Sequence, residues 1–297
     1  MNSKTVRQSK FNIKSLKKKV NRSIAGNVVL FGIIALMSVF MILPMVYIVV
    51  NAFKPIEELF LFPPRFFVKN PTFNNITSLF IASQTTVVPM TRYIFNSAFV
   101  AVVGTTIYIF ISSLAAYPLA KHEFFAKKVY LKVIVLAILF RPEVLAIPQY
   151  LIISKMGLVD TFGALIFPAL SGTLGVFMLS QFMSTIPTAL LEAAKIDGAG
   201  EYTIFFKIVM AQIKPAWLTL IIFSFQAFWN TSASGVSYIY TEKMKMLPTV
   251  LDQIIAGGLA RTGVGAAVAL IMLIPPILIY LVCQGSVMET MSHSGIK

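Results

Sequence analysis

The sequence predicts an all-α, polytopic membrane protein with about six transmembrane helices, and three observations predict it. Of 297 residues, 57% are hydrophobic and only 12% charged, with a mean hydropathy of +0.82. Soluble domains carry charge on about a quarter of their residues. Apolar runs longer than about 18 residues, enough to cross a bilayer as a helix, recur along the whole chain. The basic residues that give a net charge of +14 cluster at the ends of these runs. That is the signature of topology determinants, not of the continuous basic footprint a nucleic-acid binder needs.

Residues 1–26 form a basic arm with Lys4, Arg7, Lys10, Lys14, Lys17, Lys18, Lys19 and Arg22. Ile13, Leu16 and Val20 fall at helical spacing, so two readings stand: a short surface-lying helix or a disordered arm. Either fixes the N-terminus in the cytoplasm. One membrane domain is expected over 27–283, followed by a cytoplasmic tail over 284–297. The first apolar run is too long for the core of a cleaved signal, and is expected to be a retained span. The lone cysteine, Cys283, permits no internal disulfide.

The spans are expected at 27–51, 93–120, 129–153, 162–183, 216–240 and 264–283. Pro44 is expected to kink the first, because proline removes a helix hydrogen bond. Pro55, Pro63, Pro64 and Pro71 make the following segment an ordered external loop, with a short interfacial helix starting near Asn74. The second span ends at a short basic loop, KHEFFAKK. Its His122-Glu123 begins like a zinc-protease HExxH, but Ala126 stands where the second histidine must be. With this parity 16 of the 25 Lys and Arg residues lie inside and 9 outside, the sign the positive-inside rule requires.

Catalytic material is thin. The two histidines, His122 and His293, fall in cytoplasmic segments. No Cys/His cluster has metal-ligand spacing, and neither a GxSxG elbow nor a GxxxxGK[ST] phosphate loop occurs. Work on a solute would need energy from a gradient or another subunit. Gradient-driven carriers place ionisable groups inside their helices. Here the exceptions to charge-free spans are Arg141 and Glu143, between Phe140 and Pro148 in the third run. They form an intramembrane pair, or each pairs with a facing helix, or else they lie near the outer surface and reach water.

The interior stretch 190–216, LLEAAKIDGAGEYTIFFKIVMAQIKPA, is too polar to sit in lipid. Pro187 suits a first helical turn, and 188–196 are good helix formers, with Glu192 and Lys195 as i,i+3 neighbours. Asp197, Gly198, Ala199 and Gly200 break that helix. A second helix starts at Glu201 and runs to Ile213, before Pro215. The result is a cytoplasmic helix–turn–helix over 187–215, whose small Ala193, Ala194, Gly198 and Ala199 permit close approach by a partner.

This stretch resembles the EAA motif of ABC importer permeases, in the form typical of the maltose-type carbohydrate family. Glu192, Ala193, Ala194, Asp197, Gly198, Ala199, Phe205, Phe206, Ile208, Ile213, Lys214 and Pro215 match. Ala211 departs, where the family commonly has proline, and the helix is expected to run straighter into the fifth span. NAFKP with EELFLFPP, the stretch PEVLAIPQYLIISKMGLVDTFGALIFP, FQAFWN and the Gly295-Ile296-Lys297 ending extend the likeness over nearly the whole chain.

The resemblance implies a type I importer transmembrane domain in a bacterial plasma membrane, with both termini cytoplasmic. It implies two ATPase subunits holding ATP and Mg2+, a second and different permease chain, and an extracytoplasmic solute-binding protein. No cofactor is expected on this chain. The motif residues Glu192, Ala193, Ala194, Asp197, Gly198 and Ala199 would couple to the ATPase. Sugars are bound by stacked aromatics and hydrogen-bonding groups, so candidates for the solute path are Asn96, Gln149, Gln226, Trp229 and Asn230, with Ser97, Ser171, Thr173 and Ser232 beside them. The competing reading is that the small polar residues join helices together and that Trp229 is an interfacial anchor. A peptide or amino-acid permease is the alternative within the family.

Overall fold

The computed structural model describes residues 24–85, 88–140, 142–231, 238–258 and 261–294. The question of a helix in the N-terminal arm, Arg141 with its partner in the proposed pair, and Ser232 lie outside the side chains so described.

By contacts the chain divides into Met1–Val46 and Tyr47–Lys297. The first unit, as described, is the helix α1 (Ile24–Ala52) up to Val46. Val28, Phe31, Leu36, Phe40 and Met41 point in all directions around it, the pattern of a helix made for an apolar surround. It runs through Pro44 without interruption.

The elements of the second unit are all helices among the described residues. α2 (Ile56–Leu59) and α3 (Asn74–Thr85) belong to the segment after α1. This segment is ordered, as its prolines suggest, but by buried polar groups. Lys54 Nζ donates to the Arg65 carbonyl at 2.7 Å, and Asn75 Nδ2 donates to the carbonyls of Ala52 and Lys54 at 3.1 and 2.8 Å. The Glu58 carboxylate accepts the N–H groups of Lys69 and Asn70 at 3.0 and 2.9 Å. These N–H donors, Lys69 foremost, hold its carboxyl below the usual range.

α4 (Met90–Lys121) is a long helix that packs against the later helices Thr173–Ser184 and Lys214–Trp229. The third expected span is not one helix. α5 (Lys127–Ile138) stops short, and α6 (Pro142–Lys155) begins at a proline, whose ring disfavours helical backbone in the residue before it. The fourth is broken too: α7 (Phe162–Leu170) and α8 (Thr173–Ser184) meet at Ser171 and Gly172 with a 44° bend.

Tyr108 explains how such a break survives at membrane depth, where unpaired backbone groups are costly. Its hydroxyl accepts the Gly175 N–H at 2.8 Å and lies 3.0 Å from the Gly172 carbonyl, to which it donates.

α9 (Thr188–Ile196) and α10 (Glu201–Thr203) follow, then a π-helical turn Ile204–Val209 and α11 (Met210–Gln212). α12 (Lys214–Trp229) ends well before Tyr240, the expected end of the fifth span. The segment after it carries a 3-10 turn, Glu242–Met244, and α13 (Leu247–Ile255). α14 (Thr262–Ser294) continues past residue 283 into the segment read as a tail. Among the described residues three helices are long and apolar enough to span a bilayer alone, and up to five spans result if each bent pair counts as one.

Between α6 and α7, Asp160 sits at φ 62°, a left-handed conformation that Asp tolerates better than most residues. Its carboxylate accepts the N–H groups of Tyr240 and Thr241 at 3.0 and 2.9 Å and the Thr241 hydroxyl. The Thr241 hydroxyl above all keeps the Asp160 carboxyl below its ordinary range.

Candidate coupling module and solute path

Between α8 and α12 lies the exposed stretch read as a helix–turn–helix. Pro187 occupies the N-cap of α9, with backbone angles of −60° and 132°. At the other end the chain closes by a Schellman motif. The Ala199 N–H bonds the Ala194 carbonyl at 2.9 Å, and the Gly198 N–H bonds the Lys195 carbonyl at 3.1 Å. This places Gly198 at φ +83°, where an L side chain is disfavoured.

The six motif residues divide by face. Ala194 and Ala199 are half-buried against the core, beside buried Leu191. Glu192, Ala193, Asp197 and Gly198 are exposed, next to Ile196 at 86% exposure.

Lys195, placed beside Glu192 by sequence spacing, forms its ion pair with Glu201 instead, at 2.6 Å. The second Glu201 oxygen accepts the Tyr117 hydroxyl at 2.9 Å. Tyr117 lies near the end of α4, and its ring meets Phe205 and His122 edge-on, both at 5.4 Å between centroids. Lys121 Nζ donates to the Ile186 carbonyl just ahead of α9. The module is therefore fastened to α4 at three points.

It is fastened to α12 as well. The π turn buries Ile204, Phe205 and Val209, and its looser winding leaves carbonyls in need of partners. Trp217 Nε1 donates to the Met210 carbonyl at 3.0 Å across the junction. Glu201–Gln212 and Lys214–Trp229 are bent by 78° at Ile213. The straighter path expected from Ala211 is not found. Pro215, in the first turn of α12, has no N–H to continue a preceding helix, and that suffices for the bend without a second proline.

The solute-path candidates do not converge. Asn96 is fully buried, and its amide donates to the carbonyls of Lys243 and Lys245 at 2.9 and 2.8 Å, so it holds the segment after α12 against α4. Ser97 does the same, accepting the Leu247 N–H at 2.8 Å. Trp229 is 2% exposed, stacked on Phe225 at 5.9 Å, with Nε1 donating to the Met272 carbonyl at 3.0 Å. It joins α12 to α14 and is not an interfacial anchor. Ser171 sits in the α7–α8 break and bonds the Pro168 carbonyl. Gln149 is half-buried on α6, with Thr173 starting α8. Gln226, on α12, and Asn230, its C-cap one helical turn further on, are both exposed.

Sequence reasoning missed Tyr108 and Tyr117. Their signal was faint: a phenolic hydroxyl inside an apolar run needs a partner, and the sequence does not say which.

These features define a class: a multi-pass helical membrane protein carrying a rigid, exposed helix–turn–helix bonded to two of its spans. Residues 107–288 match the family profile of the binding-protein-dependent transport system inner membrane component, and the chain belongs to that family. It is 27% identical over 269 residues to the polygalacturonan/rhamnogalacturonan transport system permease protein YtcP of Bacillus subtilis, covering 86% of this chain and 92% of that one. It is 30% identical to the melibiose/raffinose/stachyose import permease protein MelC of the same organism, covering 68% of this chain and 74% of that one. Its fold is similar to a chain of a bacterial ABC transporter that imports the acidic polysaccharide alginate. The TM-score is 0.70 at 22% identity, over 87% of this chain and 94% of that one.

Proposed function

We propose that this chain is one of two membrane-spanning subunits of an ATP-driven importer for a carbohydrate, most simply an oligosaccharide. The exposed, Schellman-capped α9, with Ile196 and Glu192 open at its tip, carries the reading. The carbohydrates named for the relatives support the substrate class over peptides.

In this reading the module lies on the cytoplasmic side, with both chain termini, in a groove of an ATPase subunit. Two ATPases hold ATP and Mg2+, a second permease chain completes the path, and a solute-binding protein delivers the sugar from outside. Closure of the ATPases pushes the module. The push reaches α4 through Tyr117 and Lys121, and α12 through the junction at Ile213. Glu192, Ala193, Asp197 and Gly198 face the ATPase, while Ala194 and Ala199 seat α9 on its own subunit. Gln226 and Asn230 are the candidates left to meet the solute.

The test is uptake by proteoliposomes holding this chain with its copurified partners, supplied with ATP inside and with binding protein and oligosaccharide outside. Sugar accumulation that needs internal ATP is expected. Accumulation driven by a proton gradient without ATP overturns the importer reading; uptake of peptides but not sugars overturns the substrate class.

The Lys195–Glu201–Tyr117 chain makes a separate prediction. Glu201→Gln is expected to lower sugar imported per ATP hydrolysed by about 5- to 10-fold, within the usual range of coupling energies. Tyr117→Phe should do less, because it removes one of Glu201's two contacts, and the double variant should fall short of the sum of the two losses, because the singles share the Tyr117–Glu201 bond. Normal stoichiometry in Glu201→Gln, or additive losses, would count against the link.

A further inference from the structure

The segment after α1 carries a row of aromatic side chains with no partner assigned by the transport reading. Phe60, Phe62, Phe66, Phe67 and Phe73 are all exposed, alongside Arg65 and Lys69. Isolated exposed phenylalanines are ordinary, but five within fourteen residues form a patch that needs a surround.

Two further observations fix where this patch lies. The segment turns back along the helix it leaves. The Phe66 ring is 5.7 Å from that of Tyr47, and Phe67 packs edge-on against Phe66 at 5.0 Å. Tyr47 lies five residues inside the end of α1, about 7.5 Å down the axis at about 1.5 Å per residue. The Phe66–Phe67 pair therefore sits level with the last turns of a spanning helix.

The segment is also held rigidly there. Lys54 anchors Arg65 by its carbonyl, Glu58 anchors Lys69 and Asn70, and the Thr72 N–H bonds the Phe53 carbonyl at 2.8 Å. Lys54 and Glu58 are themselves buried. The cations left exposed, Arg65 and Lys69, flank the aromatic pair in sequence.

We propose that this segment is a fixed interfacial anchor. It lies in the boundary between lipid headgroups and acyl chains, with Phe66 and Phe67 at the acyl edge and Arg65 and Lys69 at the level of lipid phosphates. The partner is phospholipid: aromatic rings below and basic groups above match the layering of that boundary. Continuity with α1, whose exposed side chains are apolar on all sides, favours this over a protein docking surface. The inference rests on α1 crossing the bilayer and is independent of which solute is carried.

The test uses the full chain in phospholipid nanodiscs on a Cys283→Ser background, which leaves no other cysteine. A nitroxide is attached at Phe67→Cys and, as a reference on the same segment, at exposed Glu57→Cys. At position 67 collisions with oxygen should exceed those with a water-soluble nickel complex; at position 57 the order should reverse. Nickel access at 67 equal to that at 57 makes the patch solvated and overturns the anchor. Protection from both reagents on adding the solute-binding protein assigns the patch to protein docking and overturns it equally. Phe67→Trp supplies a check that keeps the aromatic ring. Its added emission, relative to the parent with Trp217 and Trp229, should be quenched by lipids brominated near the headgroup, and absence of quenching refutes the placement.

Discussion

Gly198→Asp is expected to abolish carbohydrate uptake, by about 100-fold, the upper end of an ordinary coupling energy, while the chain stays in the membrane at normal abundance. The two halves of that expectation come from different features. A side chain at φ +83° costs about 1–2 kcal/mol, and Asp lies at the mild end because its short polar group bonds locally. Nothing lies within 4 Å of a Cβ built there, so the folded chain has room for it. The harm falls outside the subunit, where the bare backbone of the α9 tip must meet a partner closely. Membrane abundance, uptake and solute-dependent ATP hydrolysis measured together check this. Gly198→Asn separates causes, since it keeps the backbone preference without the charge. Normal uptake with Asp at this position would remove α9 from the coupling route.

Gly175→Leu is the second large effect, and it acts by unfolding. A Cβ at this position would lie 2.7 Å from both the Tyr108 hydroxyl and Ser112 Oγ. Both belong to α4, the helix against which α8 packs. Overpacking of this kind costs about 1–3 kcal/mol. Displacing Tyr108 also leaves the Gly175 N–H and the Gly172 carbonyl without their partner, at about 1–3 kcal/mol for a buried unpaired group. The expected result is a large fall in purified yield and in thermal midpoint. Tyr108→Phe, which keeps the ring and removes the hydroxyl, should show part of the same loss. Gly200→Ala is the control, since nothing lies within 4 Å of its Cβ and its φ is −71°. Equal midpoints for Gly175→Leu and Gly200→Ala would show that Tyr108 does not close the α7–α8 break.

The helices that hydropathy located are present because a long apolar run in lipid has few alternatives to a helix. The interruptions in them were not legible in the same way. A window average over 162–183 barely registers Ser171 and Gly172, yet those two residues bend the span by 44°. The expected end at Tyr240 failed for a related reason: aromatic residues score as apolar wherever the backbone has already left the helix. α9 and its turn were legible because the cause is local, in a Pro, a run of helix formers and a Gly. Asn96 and Trp229 were not, because their partners lie 147 and 43 residues away, at Lys243 and Met272. A polar group awaiting a sugar and one that bonds a distant carbonyl look identical in sequence. Only the fold distinguishes Gln226 and Asn230, which stay open, from the two that do not.

The bend at Ile213 also fixes the direction in which force can travel. Two rods meeting at 78° behave as a bell crank. Displacement along the axis of 201–212 has only a small component along α12 and a large one across it. In the proposed importer, a stroke arriving at the tip of α9 would not drive α12 as a piston through the bilayer. It would sweep the near end of that helix sideways, and the helix would answer by tilting. Because Trp229 ties the far end to α14 through Met272, the tilt pivots there. The passage would open widest at the near end and least beside Gln226 and Asn230.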